Sequence, residues 1–221
     1  YTNAVYGFLS IYLKLLEDEQ PDGVCVAFDL RAPTFRHQQY AAYKAQRKGM
    51  PDELAMQMEP LKELLDAMRV CRIECEGYEA DDIIGTVSRL CAESGDTCAI
   101  VTGDRDSFQL VANPGTQVLL VSSRMGKTET TRYDRAAIEE KYGLAAERMR
   151  DLKGLMGDAS DNIPGVRGIG EKTALDLLHQ FETMDKLYAE LETATLRPAV
   201  REKLTNDREQ AFLSRELATI C

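Results

Sequence analysis

Cys71-Arg72-Ile73-Glu74-Cys75-Glu76 runs through Gly77-Tyr78 into Glu79-Ala80-Asp81-Asp82, and the change of rhythm at the glycine decides the fold. Before Gly77, Cys71, Ile73 and Cys75 alternate with Arg72, Glu74 and Glu76, the two-residue period of a strand. After it, Ile83, Ile84, Val87, Leu90 and Cys91 recur at helical spacing. A strand is thus followed by an amphipathic helix whose first turn carries three carboxylates, with Glu79 and Asp82 on one face. A single acid there would serve the helix dipole. Three repel one another, and hard divalent cations relieve such repulsion through oxygen ligands.

The same alternation extends in both directions. Tyr1–Glu19 reads as a helix packed on one face, and Gly23–Phe28 as a short buried strand ending at Asp29. Pro51-Asp52-Glu53 opens a helix with Leu54, Leu61, Leu64, Leu65 and Met68 on its apolar face. Thr97–Thr102 is a second buried strand running into Gly103-Asp104-Arg105-Asp106 and a short helix, Ser107–Val111. Val118–Val121 is a further strand, and Ser122–Thr131 a polar loop or hairpin tip. Asp134 is an N-cap and Gly143 the stop of the next helix. Beyond it only helices are expected: Ala145–Met156, Glu171–Gln180, Met184–Leu191 and Asp207–Ile220. This pattern predicts an α/β core, residues 1–143, with a mostly parallel sheet, and a helical subdomain over 144–221. Sites in such sheets lie beyond the carboxyl ends of the strands, where Asp29, Asp104 and Asp106 fall and where the turn carrying Glu79–Asp82 begins.

With 221 residues and 44% hydrophobic content, the chain is an ordinary globular α/β protein. No apolar run reaches the length of a membrane span, and no signal peptide precedes the first helix. The six cysteines include no C-x-x-C pair, and there are only two histidines, His37 and His179, so the sequence argues against a structural zinc site. The cysteines read as small core hydrophobes of a reduced, cytosolic protein. A net charge of −10 argues against nucleic acid, but its distribution argues the other way. Leu30–Met50 contains no acid, yet carries Arg31, Arg36, Lys44, Arg47 and Lys48 among Phe35, Tyr40 and Tyr43. This basic, aromatic segment is expected to be partly helical and mobile.

Asp104-Arg105-Asp106 alone reads as a turn, and Asp158 with Asp161 as a helix-terminating loop. Taken together, Asp29, Glu79, Asp81, Asp82, Asp104, Asp106, Asp158 and Asp161 are what a phosphodiester hydrolase with two divalent ions needs. Oxygen ligands without His or Cys suit Mg²⁺ or Mn²⁺. Gly165-Val166-Arg167-Gly168-Ile169-Gly170-Glu171-Lys172-Thr173-Ala174 is the second specific signal. A glycine-rich turn at a helix start offers backbone N–H groups to a phosphate, and Lys172 and Thr173 add contacts that position DNA without reading its sequence.

These residues also carry a resemblance. Ala27-Phe28-Asp29 with Arg36, Tyr43-Lys44-x-x-Arg47, Gly77-Tyr78-Glu79-Ala80-Asp81-Asp82, Thr102-Gly103-Asp104-Arg105-Asp106 and Gly157-Asp158-x-x-Asp161-Asn162-Ile163-Pro164-Gly165-Val166-x-Gly168-Ile169-Gly170-x-Lys172-Thr173-Ala174 occur in that order. The set resembles the 5′ nuclease (5′-3′ exonuclease) domains of bacterial DNA polymerases I, within the flap endonuclease family. The resemblance implies a resolvase-like, PIN-like sheet core and a helix–three-turn–helix motif at about 157–181. It implies an enzyme of DNA replication and repair in a bacterial cytoplasm, a monomer with a polymerase domain in the same chain. Its substrates would be DNA with 5′ flaps, nicks or RNA primers.

By position, Asp29, Glu79, Asp81, Asp82 and Asp104 resemble the ligands of a first metal ion, and Asp106, Asp158 and Asp161 those that complete a second. Lys44, Asp81 and Asp104 would act most directly at the scissile phosphate. Residues 30–50 would be the helical gateway for a single-stranded 5′ end, with Tyr43 stacking a base and Arg36 and Arg47 on backbone. Gly168, Gly170, Lys172 and Thr173 would grip duplex DNA and hold a K⁺ ion.

The family begins with a further strand ending in Asp and an Arg-bearing loop, both upstream of Tyr1. The chain opens inside a helical pattern (Val5, Phe8, Leu9, Tyr12, Leu13, Leu16), so its start reads as cut. As written it is expected to bind flaps weakly, to cleave poorly and to be less stable than an extended form. Two other readings remain open at this point: an aspartyl phosphatase using Asp104, and an inactive DNA-binding fragment.

Overall fold

The computed structural model describes residues 1–124 and 127–221. In order it contains α1 (Asn3–Glu19), β1 (Cys25–Ala27), α2 (Phe35–Gln39), α3 (Asp52–Ala67), β2 (Cys71–Ile73), α4 (Ala80–Ser94) and β3 (Cys98–Thr102). A 3-10 helix (Arg105–Ala112), β4 (Thr116–Arg124), β5 (Lys127–Tyr133), α5 (Arg135–Tyr142) and a 3-10 turn (Ala146–Arg148) follow. The remainder is helical: α6 (Met149–Met156), α7 (Glu171–Phe181), α8 (Met184–Ala189), α9 (Pro198–Asn206) and α10 (Arg208–Ala218).

The chain forms two compact units: Tyr1–Thr34 with Arg47–Ile83, and Phe35–Gln46 with Ile84–Cys221. In the first, β1 and β2 pair in parallel, Cys25 opposite Cys71 and Ala27 opposite Ile73. The Phe28 N–H donates to the Ile73 carbonyl at 3.0 Å, carrying the pairing to the doorstep of Asp29. α3 starts after Pro51, whose fixed φ suits a helix entry, with Asp52 and Glu53 against the positive end of the dipole. Leu61, Leu65 and Gln57 are its buried residues. Gln57 ties α3 to α1, accepting from the Ala4 N–H at 2.8 Å and donating to Asn3 Oδ1 at 3.1 Å.

In the second unit β3 and β4 are parallel, Cys98 opposite Thr116 and Thr102 opposite Leu120. β5 then turns back antiparallel, Val118 opposite Tyr133. The loop or hairpin tip expected over Ser122–Thr131 is the hairpin end of β4 and β5, and its Met125 and Gly126 lie outside the described residues. β5 was hidden because its Thr128–Thr131 side chains are exposed, so no apolar alternation marks it. Its end packs on the core through Tyr133, whose ring lies against that of Phe108 with centroids 4.6 Å apart.

One hydrophobic core runs from Ile100, Phe108, Val118 and Ile138 through Leu144, Leu152 and Leu155 to Leu178, Leu187 and Leu204. It includes residues on both sides of 143/144. Asp134 caps α5 by accepting from the Ala137 N–H at 2.8 Å, and Gly143 ends it with φ +64. α9 was also unanticipated. It buries only Val200 and Leu204, too few to write a helical period.

Candidate active site

Asp29, Glu79, Asp81 and Asp82 belong to the first unit. The Ala80 N–H donates to Asp29 Oδ1 at 2.7 Å, so the acid after β1 sits on the N-terminus of α4. The Glu79 N–H donates to Asp82 Oδ2 at 3.0 Å, closing the same helical turn. Glu79 and Asp82 are buried, 8% and 2% exposed, while Asp29 is exposed. Backbone N–H groups and the helix dipole favour negative charge at such a helix start.

Asp104, Asp106, Asp158 and Asp161 belong to the second unit. β3 ends at Thr102, and Asp104 caps the following 3-10 helix by accepting from the Asp106 N–H at 2.9 Å. Asp158 follows α6 at the mouth of a tight loop, pairing with Ile163 in both directions at 2.8 Å. Lys153 of α6 reaches between the two acids. Its ammonium lies 2.7 Å from Asp106 Oδ1 and also hydrogen-bonds Asp158 Oδ2. Asp106 Oδ1 is buried and receives no directed hydrogen bond, so its contact with Lys153 is ionic in kind.

The electrostatics of this trio follow from unequal surroundings. Burial pushes the Asp106 carboxyl above its ordinary range, against the pull of Lys153. Burial acts on Asp158 in the same direction, but hydrogen bonds from Lys153 and Ser160 outweigh it, and its carboxyl lies below the usual range. The Ser160 N–H at 2.8 Å and Oγ at 2.6 Å both serve Asp158 Oδ1. Lys153 would be lowered by burial, yet the two acids hold its ammonium above the ordinary value. Lys153 escaped the sequence reading because one lysine in an amphipathic helix reads as a solvated residue. The signal was its place five residues before Asp158, within reach of that carboxylate.

The basic segment docks on the loop that carries Asp161. The Lys44 N–H donates to the Asp161 carbonyl at 2.9 Å, and the Lys44 ammonium lies 3.7 Å from Asp161 Oδ2. The Tyr43 hydroxyl is 3.5 Å from Asp161 Oδ2, and its ring meets His37 edge-on at 5.3 Å. Asn162 donates to the Ala42 carbonyl and accepts from Gln46, each at 2.6 Å. Lys44 takes up a left-handed φ of +53 to make this turn.

Tyr43 is only 3% exposed and Arg36 only 2%. Arg36, read from sequence as a DNA-backbone contact, has its guanidinium on the carbonyls of Leu217 at 2.9 Å and Thr219 at 2.7 Å. Those carbonyls end α10, where a cation also meets the negative end of the dipole. Arg47 is exposed.

The glycine-rich turn is fixed from below. A Cβ on Gly165 would lie 2.2 Å from the Gly157 nitrogen, and one on Gly157 2.6 Å from the Ile163 carbonyl. Both have positive φ, +62 and +73, so glycine is required for space and for conformation. Ser214 accepts from the Gly165 N–H, Gln210 donates to its carbonyl at 2.7 Å, and Asp207 accepts from the Arg167 N–H at 2.8 Å. Arg167, Gly168, Gly170 and Lys172 are exposed at the start of α7, and Thr173 partly so. Lys203 of α9 donates to the Gly168 carbonyl at 3.0 Å, adding a second ammonium that sequence reading missed.

Among the described residues, no three acids converge tightly enough to enclose an ion unaided. The donor set nevertheless fits a hard divalent cation: carboxylate oxygens throughout, one of them buried beside a positive charge without a directed hydrogen bond.

Residues 1–143 match the family described as 5′-3′ exonuclease, N-terminal resolvase-like domain. Residues 144–221 match that described as 5′-3′ exonuclease, C-terminal SAM fold. The chain is 46% identical over 220 residues to DNA polymerase I of Bacillus subtilis (strain 168), covering 100% of itself and 24% of that protein. It therefore spans about a quarter of the length of this relative. The zinc-bound T5 5′-exonuclease is similar in fold, with a TM-score of 0.80 and 22% identity over 97% of this chain and 80% of that one. A bacteriophage T5 flap endonuclease variant in a pseudo-enzyme-product complex with DNA and metal ions gives 0.78 and 21%, covering 97% and 80%.

Proposed function

The chain belongs to the 5′-3′ exonuclease family, and on that premise we propose that it hydrolyses phosphodiester bonds at the 5′ ends and 5′ flaps of DNA, RNA primers included, with divalent metal ions. The observation that carries the reading is the Asp106–Asp158 pair. It is an all-oxygen, half-buried seat built around positive charge, in the same unit as an exposed glycine turn suited to phosphate. Asp29, Glu79, Asp81 and Asp82 are the proposed ligands of one ion, and Asp106, Asp158 and Asp161 of another, with Asp104 completing the acid set. Mg²⁺ or Mn²⁺ fits the donors. Such ions supply a water of lowered pKa and neutralise charge on the phosphate.

The chain's own residues do the rest. Gly168, Gly170, Lys172 and Thr173 hold a duplex backbone through N–H groups and charge, without base readout. Lys44 is proposed to leave Asp161 for the scissile phosphate, and Arg47 to guide the single strand. Arg36 and Tyr43 are proposed as the anchors of that gateway, since both side chains are packed inside. A K⁺ ion on the turn would compete with Lys203 for the Gly168 carbonyl. The polymerase of the relative's longer chain enters as a proposed covalent neighbour.

The test is a single-turnover assay on a 5′-flap duplex with Mg²⁺. Asp104→Ala should lower the cleavage rate at least about a hundredfold, on the scale of losing one electrostatic element of a transition state, while flap binding persists. Cleavage at the wild-type rate by the variant would remove Asp104 from the machinery.

A further inference from the structure

The cation held by Asp106 and Asp158 is the chain's own. Lys153 sits where the two carboxylates point, 2.7 Å from Asp106 Oδ1 and hydrogen-bonded to Asp158, with its side chain 20% exposed. Asp106 and Asp158 are 17% and 15% exposed, so water screens the pair poorly. Two carboxylates and one ammonium leave one negative charge. A Mg²⁺ or Mn²⁺ ion on the same oxygens would add two positive charges beside a third at contact distance. That like-charge repulsion is strong at low effective dielectric. The ion also needs its oxygens at about 2.0–2.1 Å, closer than the ammonium stands, on the very oxygen that Lys153 faces.

We propose that Lys153 is a tethered counter-cation of the Asp106–Asp158 pair, which a divalent ion must displace in order to bind there. The inference rests on the reading of those two acids as metal ligands. Lys153 has the means to leave: a four-carbon stem, and an ammonium that makes point-charge contacts with no fixed fork geometry. A phosphate is the anion on which it can settle once displaced. Ion binding at this pair is therefore weak in the free protein and strengthens when nucleic acid takes up the lysine. In the absence of metal, Lys153 keeps two half-buried carboxylates from facing each other uncompensated.

The experiment counts Mn²⁺ bound to the DNA-free full chain from the spin-resonance signal of free Mn²⁺. Lys153→Met should tighten the weaker Mn²⁺ site at least about tenfold, on the scale of removing one nearby positive charge. Lys153→Arg should leave it weak, because the charge remains. Unchanged or weaker binding in Lys153→Met overturns the proposal. Asp158→Asn should abolish the weaker site. If it does not, the ligand reading has failed, and the proposal with it. Where Lys153→Met does not fold, acetylation of wild-type protein decides, read by mass spectrometry at Lys153. The lysine should acetylate slowly in chelator and several-fold faster in saturating Mn²⁺. Equal rates in the two conditions overturn the proposal.

Discussion

Arg36 shows how far a residue's role can stand from its local sequence. In an acid-free basic stretch it reads as a nucleic-acid contact, and in the folded chain it is a buried clamp on the Leu217 and Thr219 carbonyls. Arg36→Met keeps the volume and removes the donors, leaving two carbonyls without their charged partner. Loss of charge-assisted hydrogen bonds at a buried site predicts a destabilisation of about 2–4 kcal/mol, measured by urea unfolding; a change within experimental error would refute the clamp. No local pattern announces this role, because both acceptors are backbone atoms far along the chain. The eight acids stand out in the sequence as proposed ligands by type and spacing, whereas the place of Lys153 beside Asp106 and Asp158 shows only in three dimensions. Cys98 gives a residue-scale test of burial. Desolvation, then the neighbouring Cys91 thiol, pushes its pKa to about 11. At pH 8 roughly one thiol in a thousand is then ionised. Alkylation of Cys98 should run at least about tenfold slower than that of an ordinary exposed thiol and accelerate as pH rises toward 11. A rate already at its plateau at pH 8 would contradict the burial.

At the scale of elements, the helices with a strong apolar stripe were readable and the lightly buried ones were not. α3, α4 and α7 announce themselves by period, whereas α9 buries two side chains and β5 presents polar residues to water. The glycine turn before α7 was readable for a different reason: its residues are dictated by backbone geometry. Gly165 tests that claim. With φ +62 and the Gly157 nitrogen 2.2 Å from a built Cβ, Gly165→Ala forces the crossing of α6 and the turn apart. Left-handed strain alone costs about 1–2 kcal/mol, and the backbone collision adds to it. The variant should lose at least about 2 kcal/mol of stability and, through the displaced start of α7, its affinity for duplex DNA of any sequence. A drop in affinity without a drop in melting temperature would mean that the turn yields without strain.

At the scale of the molecule, the division into units follows contacts that no window of sequence contains. Residues 35–46 lie between two segments of the first unit, yet fold with the second. Tyr43 packs in a small cluster with Ile163, Leu217 and Ala218, and Arg36 closes on the last helix. Removing residues 217–221 should therefore free this segment. Limited trypsin digestion should cut after Lys44 or Arg47 at least about tenfold faster in the shortened chain, as expected when local opening loses its opposing contacts. Equal cutting rates would show that the segment is held by something else. The clamp has a further consequence in time. Arg36 and Leu217 are 181 residues apart, and a ribosome adding 5–20 residues per second needs roughly ten to forty seconds to span that distance. For that interval residues 35–46 have been made and their fastening has not. An unfinished chain therefore cannot hold residues 35–46 in this arrangement, and the arrival of the Leu217 and Thr219 carbonyls sets the moment at which the segment is fastened.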